Sequence, residues 1–155
     1  MKTIVIYFSA EAGKTRKIAE ELSKALSAEL FEIRPEQPYS EADLKWINPF
    51  ARCNKEKRGK ADVPITGRIE NWDEYDTVYL GFPIWYYAAP NVVNTFCKGY
   101  DWIGKTIHIF ATSGSSGIGK TAVRLEPYVK GANIADAKRV TSASEIISEA
   151  KGESL

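Results

Sequence analysis

The chain has 155 residues, 44% of them apolar and 26% charged, ordinary values for one soluble globular domain. A domain of this length buries roughly two thirds of its unfolded surface, so it can fold without a disulfide or a metal. Lys and Arg number 21 and Asp and Glu 20, a net charge of +1, which gives no reason to expect nucleic acid or an anionic membrane as partner. Cys53 and Cys97 lack metal-type spacing and read as reduced structural thiols. No stretch approaches the ~20 apolar residues of a membrane span. The apolar run after Met1 and Lys2 is too short for a signal peptide. The expected location is the cytoplasm.

Residues 3–8, Thr-Ile-Val-Ile-Tyr-Phe, form a continuous β-branched and aromatic run that predicts a strand buried on both faces. A small-residue turn over 9–13 follows. Ile18, Ala19, Leu22, Ala25 and Leu26 then share one face of a predicted helix. A second strand is expected over about 30–34, stopping before Pro35. Ser40-Glu41-Ala42-Asp43 resembles a capping box opening a helix with Leu44, Trp46 and Ile47. Residues 55–70 are polar and irregular and read as a long surface loop. A third strand is expected over 77–82 and a helix from near Pro90, an N1-type proline. A fourth strand over 106–111 precedes a Gly- and Ser-rich loop over 112–119 and a helix to about Val129. A weaker fifth strand lies near 133–140, and Ser142 to Glu145 caps a short last helix. This alternation predicts an α/β domain spanning 1–155, a parallel sheet with helices on both faces.

Ligands of such sheets bind beyond the carboxyl ends of the strands, where strand order reverses. Three segments fall there. In the first, Ser9, Gly13, Lys14 and Thr15 combine hydroxyls, a glycine turn and the free N–H groups of a helix start, a competent phosphate cradle. An ordinary strand-to-helix turn would look similar. In the second, Pro83, Ile84, Trp85, Tyr86, Tyr87 and Ala88 offer three consecutive aromatics that cannot all enter one core. Flat aromatic surface suits stacking on a planar ring; a loop plug or dimer contact is the competing role. The third contains Thr112, Ser113, Gly114, Ser115 and Gly117, rich in N–H and hydroxyl donors and suited to the polar edge of a ligand.

Residues 114–121 also match G-x-x-x-x-G-K-[ST], the phosphate loop of nucleotide hydrolases. Such enzymes need a separate Asp at a strand end to hold Mg²⁺. The candidate strand ends in Gly81-Phe82-Pro83 with no carboxylate, and the aromatics at 85–87 would have no role. Lys120 reads as a solvated surface lysine, His108 as structural, Trp46 as helix packing, and Tyr7, Tyr79 and Phe110 as sheet core.

Val5-Ile6-Tyr7-Phe8-Ser9 with its Gly-x-Thr turn, the run 76–86, Tyr100-Asp101, Gly104-Lys105-Thr106 and the loop 112–119 together resemble the flavodoxin family. The resemblance covers nearly the whole chain. It implies a doubly wound five-stranded sheet of order 2-1-3-4-5 that binds FMN. It further implies phosphate at Ser9, Gly13, Lys14 and Thr15, Trp85 or Tyr86 stacked on the ring, and the 112–117 loop along the ring's other side. An electron carrier serving redox partner proteins is the leading expectation, and an FMN-dependent NAD(P)H:quinone-type reductase of the same fold is the alternative. Whether the chain is a monomer or a weak dimer stays open.

Overall fold

The computed structural model describes residues 2–9, 13–36, 64–84, 89–112 and 121–152. Strands β1 (Lys2–Tyr7), β2 (Glu29–Glu32), β5 (Tyr75–Pro83), β6 (Thr106–Thr112) and β7 (Asn133–Arg139) form a parallel sheet in the order β2-β1-β5-β6-β7. Counting only these five strands, the order is the expected 2-1-3-4-5. A second sheet pairs two-residue strands β3 (Arg34–Pro35) and β4 (Ile65–Thr66) antiparallel.

The apolar runs explain themselves through the pleat. Ile4, Ile6, Phe8, Val78, Leu80, Phe82, Ile107 and Ile109 pack on one face beneath helices α2 (Asn91–Lys98) and α3 (Thr121–Leu125). Val5, Tyr7, Tyr79 and Phe110 point the other way, under α1 (Lys14–Leu26) and α4 (Ser144–Gly152). Successive residues enter opposite cores, so the strands read as unbroken apolar runs rather than alternating ones. The predicted face of α1 is the one that packs: Ile18, Ala19 and Leu22 are buried, and Ala25 and Leu26 half-buried.

Several boundaries differ from the sequence expectation. The second strand ends at Glu32 rather than near Arg34, and Pro35 does not stop the chain's pairing. Proline is tolerated in an edge ladder that asks for no N–H at that position; the adjoining bond is donated by Glu36 N–H to Pro64 O at 2.9 Å. Part of the expected 55–70 loop is therefore ordered, with β4 at its centre and Ile69 buried. Pro90 is the N-cap of α2 and not its first helical residue, since its ψ of 152° is extended. The helix expected to reach Val129 ends at Leu125 and passes into a 3₁₀ turn, Glu126–Tyr128. Pro127 supplies no N–H to continue the α-helical ladder. The weak fifth strand is real. It is an edge strand, largely half-buried, which is why its apolar pattern is poor. At α4 the Glu half of the capping box forms: Glu145 Oε2 accepts from Thr141 N–H (2.7 Å) and Ser142 N–H (3.3 Å). The expected helix at 40–47, with Trp46, and Cys53 lie outside the described residues.

His108 is structural, as expected. Its Nδ1 lies 3.0 Å from Asp136 Oδ2 and its ring stacks on Tyr79 at 4.6 Å. Cys97 is fully buried, and burial pushes its thiol pKa up, so it is held as an inert thiol.

Gly81 is fixed by packing at the centre of the sheet. A Cβ built there would sit 2.2 Å from the Phe110 ring, which is 1% exposed and boxed in by the α1 layer. Gly81→Ala is expected to destabilise the fold by about 1–3 kcal/mol, the usual cost of overpacking, read as a lower urea midpoint at unchanged slope. A loss below about 0.5 kcal/mol, the range of neutral surface changes, would show that Phe110 yields freely.

Candidate functional site

Strand order reverses between β1 and β5: the chain leaves β1 for β2 on one side, while β5, β6 and β7 lie on the other. The crevice of a doubly wound sheet opens at that reversal, beyond the carboxyl ends of the strands. Ser9, Gly13, Lys14 and Thr15 lie on the β1 side of it, and Pro83 and Ile84 at the end of β5. Thr112 ends the neighbouring β6. Trp85, Tyr86, Tyr87, Ala88, Ser113, Gly114, Ser115, Gly117 and Lys120 lie outside the described residues.

Short bonds stitch this edge together. Phe8 N–H donates to Gly81 O at 2.9 Å, and Ile84 N–H to Thr112 O at 2.8 Å. The hydroxyls of Thr15 and Thr112 lie 2.7 Å apart although the residues are 97 positions apart in sequence. Both threonines are buried, at 2% and 3% exposure. Thr112 is thus the joint: its carbonyl holds the segment after β5, and its side chain holds the start of α1. The Thr15–Thr112 bond consumes one of the pair's two hydroxyl hydrogens.

The start of α1 gathers free N–H groups and positive charge. Gly13 caps the helix at φ 71°, ψ 9°, in the left-handed region. No Cβ stands in the way there, and an added one would meet nothing within 4 Å, so the backbone conformation is what calls for glycine. Lys14 and Thr15 occupy the first two helical positions, whose N–H groups have no acceptor within the helix. Ser9 Oγ accepts from Arg16 N–H at 3.2 Å. The first turn carries Lys14, Arg16 and Lys17 and no acidic residue. Cations at the positive end of a helix dipole oppose the usual preference for carboxylates there. The arrangement costs the helix free energy in isolation and favours a bound anion.

Arg16 and its partners were not singled out in the sequence. The guanidinium meets Tyr7 and Glu32, and hydrogen bonds to these two raise its pKa further above the usual arginine value, so it is always a cation. Lys14, Arg16 and Lys17 directly after a glycine turn were the available signal; the partners come from two strands and were not readable. Among the described residues no group of three or more His, Cys, Asp or Glu could hold a metal ion. No helix among them is long and apolar enough to cross a membrane.

The Flavodoxin family model matches residues 2–150. The chain belongs to the Flavodoxin family. Solved structures agree. A protein of Bacteroides eggerthii, provisionally called a flavoprotein, is 37% identical with a TM-score of 0.89, over 99% of this chain and 98% of that one. A second such protein, from Bacteroides uniformis, is 34% identical with a TM-score of 0.86, over 97% of both chains. A Lactobacillus acidophilus flavoprotein solved in complex with FMN shares the fold at 22% identity and a TM-score of 0.70, over 94% of this chain and 95% of that one. A comparison with curated proteins gave no match.

The run that matches the nucleotide-hydrolase pattern ends at Thr121, the first residue of the five-residue helix α3. The strand β5 offers Gly81, Phe82 and Pro83 at its end, with no carboxylate for Mg²⁺.

The Thr15–Thr112 bond makes a quantitative prediction. Thr112→Val removes one partner of a buried pair and is expected to cost about 1–3 kcal/mol. The double variant Thr15→Val/Thr112→Val removes both hydroxyls and should be more stable than the sum of the two single losses implies. Strictly additive losses in urea unfolding would show that the hydroxyls are not coupled.

Proposed function

We propose that this flavodoxin binds FMN at the carboxyl edge of its sheet and serves as an electron carrier between redox partner proteins. The observation that carries the reading is the start of α1: a glycine cap, two helix-start N–H groups, the Ser9 hydroxyl and three cations without an acid in the first turn. That donor set is chemically suited to a phosphate dianion. Membership of the Flavodoxin family and the FMN carried by the Lactobacillus relative support the choice of cofactor.

In this reading the N–H groups of Lys14 and Thr15 and the hydroxyl of Ser9 hold the phosphate. Gly13 turns the backbone so that these donors converge. Pro83, Ile84, Trp85, Tyr86, Tyr87 and Ala88 pack along the ring, and Thr112, Ser113, Gly114, Ser115 and Gly117 line its other side. When bound, FMN supplies reversible one- and two-electron chemistry. Phe8, Phe82 and Ile84 are buried at the end of the strands and exclude water from beneath the site. The protein requires no general acid or base of its own for this task. A cytoplasmic location fits the reduced thiols read from the sequence.

The purified protein is expected to show flavin absorption bands, or to acquire them on reconstitution, and to release FMN on denaturation. A protein that stays colourless with FMN yet binds ATP with Mg²⁺ would contradict the proposal. Slow NAD(P)H oxidation with a quinone acceptor is expected of a carrier. Fast turnover would replace the carrier role with that of a reductase.

A further inference from the structure

The first turn of α1 is held from two sides. Thr15 ties it to β6. Arg16 ties it to β1 and β2: its Nε donates to Tyr7 Oη at 3.3 Å and its Nη2 to Glu32 Oε2 at 2.6 Å. Glu32 is fixed in turn, since its Oε1 accepts from Arg34 Nε at 2.7 Å. Its side chain is only 17% exposed, whereas that of Arg16 is 51% exposed. The main-chain N–H of the same Arg16 donates to Ser9 Oγ. A hydroxyl that accepts such a bond becomes a better donor.

We infer that Arg16 is a positioning residue for the anion end of the site. Its clamp on Tyr7 and Glu32 keeps the Arg16 N–H on Ser9 Oγ and presents Ser9, Lys14 and Thr15 as one donor set for the cofactor phosphate. The inference rests on the FMN reading above. The guanidinium does not act as a second phosphate ligand. Two of its nitrogens are committed to Tyr7 and Glu32, and the Glu32 carboxylate at salt-bridge distance offsets its charge. Glu32 is shared with Arg34, so it offsets the charge of Arg16 only in part, and the committed donors of the guanidinium rather than its charge define its role. What Arg16 contributes is the fixed geometry of the turn, and a preorganised donor set binds more tightly than one that must be ordered on binding.

The test compares FMN with riboflavin, which has the same ring and no phosphate, by quenching of flavin fluorescence on titration with apoprotein. Arg16→Met is expected to weaken FMN binding by about five- to tenfold. Riboflavin binding should stay within about twofold of wild type, an energy change below about 0.5 kcal/mol. Arg16→Lys keeps the charge but lacks the planar fork for the two-point clamp, so it should behave like Arg16→Met. Glu32→Gln decides between geometry and charge. A positioning role predicts weaker FMN binding because the clamp loosens. Tighter FMN binding, as expected if Glu32 merely subtracts from the positive field, would overturn the inference. So would an Arg16→Lys variant with wild-type FMN affinity, or equal losses for both flavins, which mark a general structural role. Tyr7→Phe removes only the phenolic oxygen and keeps the fold measurable should Arg16→Met unfold; a selective loss of FMN affinity of about two- to threefold is expected. A wild-type protein that binds neither flavin overturns the FMN reading and this inference with it. Wild-type FMN binding with indifferent variants overturns the inference alone.

Discussion

The buried bond between the Thr15 and Thr112 hydroxyls is the constraint on which the candidate site depends. It joins residues 97 positions apart and spans from the first helix to the fourth strand of the main sheet. A parallel sheet by itself aligns strand ends but leaves the loops beyond them unconnected. Here Thr112 also takes the N–H of Ile84, so the segments after β1, β5 and β6 share one anchor. In a water-excluded position such a bond is costly to break by half, because the remaining hydroxyl would be left buried without its partner.

The second constraint is electrostatic. A glycine cap followed by Lys14 and Lys17 places positive charge at the start of α1, where strand order reverses. The clamp on Tyr7 and Glu32 turns the Arg16 guanidinium to structural use. In the proposed reading, helix stability is given up locally for anion affinity, as functional sites commonly do. The layers on both sides of the sheet make it affordable: the apolar residues of β1, β5 and β6 enter two separate cores, and no single turn has to stabilise the fold.

Much of the fold was legible because burial on both faces leaves an unmistakable mark. Residues 4–8 form an unbroken apolar run and 78–82 one interrupted only by Gly81, and Ile18, Ala19 and Leu22 repeat at helical spacing. What escaped was set by contacts without local period. Two-residue strands such as β3 and β4 carry no pattern, so Pro35 looked like a stop and residues 64–70 like loop. Pro127 shortened the fourth predicted helix through a missing N–H that the apolar pattern does not register. At the site, composition singled out Ser9, Gly13 and Thr15. It could not reveal that Thr15 would meet Thr112, or that Tyr7, read as sheet core, would both fill the core and hold Arg16. Those pairings are properties of the assembled sheet.

The central claim is that the turn after β1 and the end of β6 form one continuous binding edge for FMN. Amide chemical shifts followed by NMR while FMN is added to the apoprotein test it most directly. The account predicts that the N–H signals of Ser9, Gly13, Lys14, Thr15 and Thr112 move together along one binding curve. Signals of Ser9 to Thr15 that stay still while FMN binds elsewhere, or that move on a curve separate from Thr112, would contradict it.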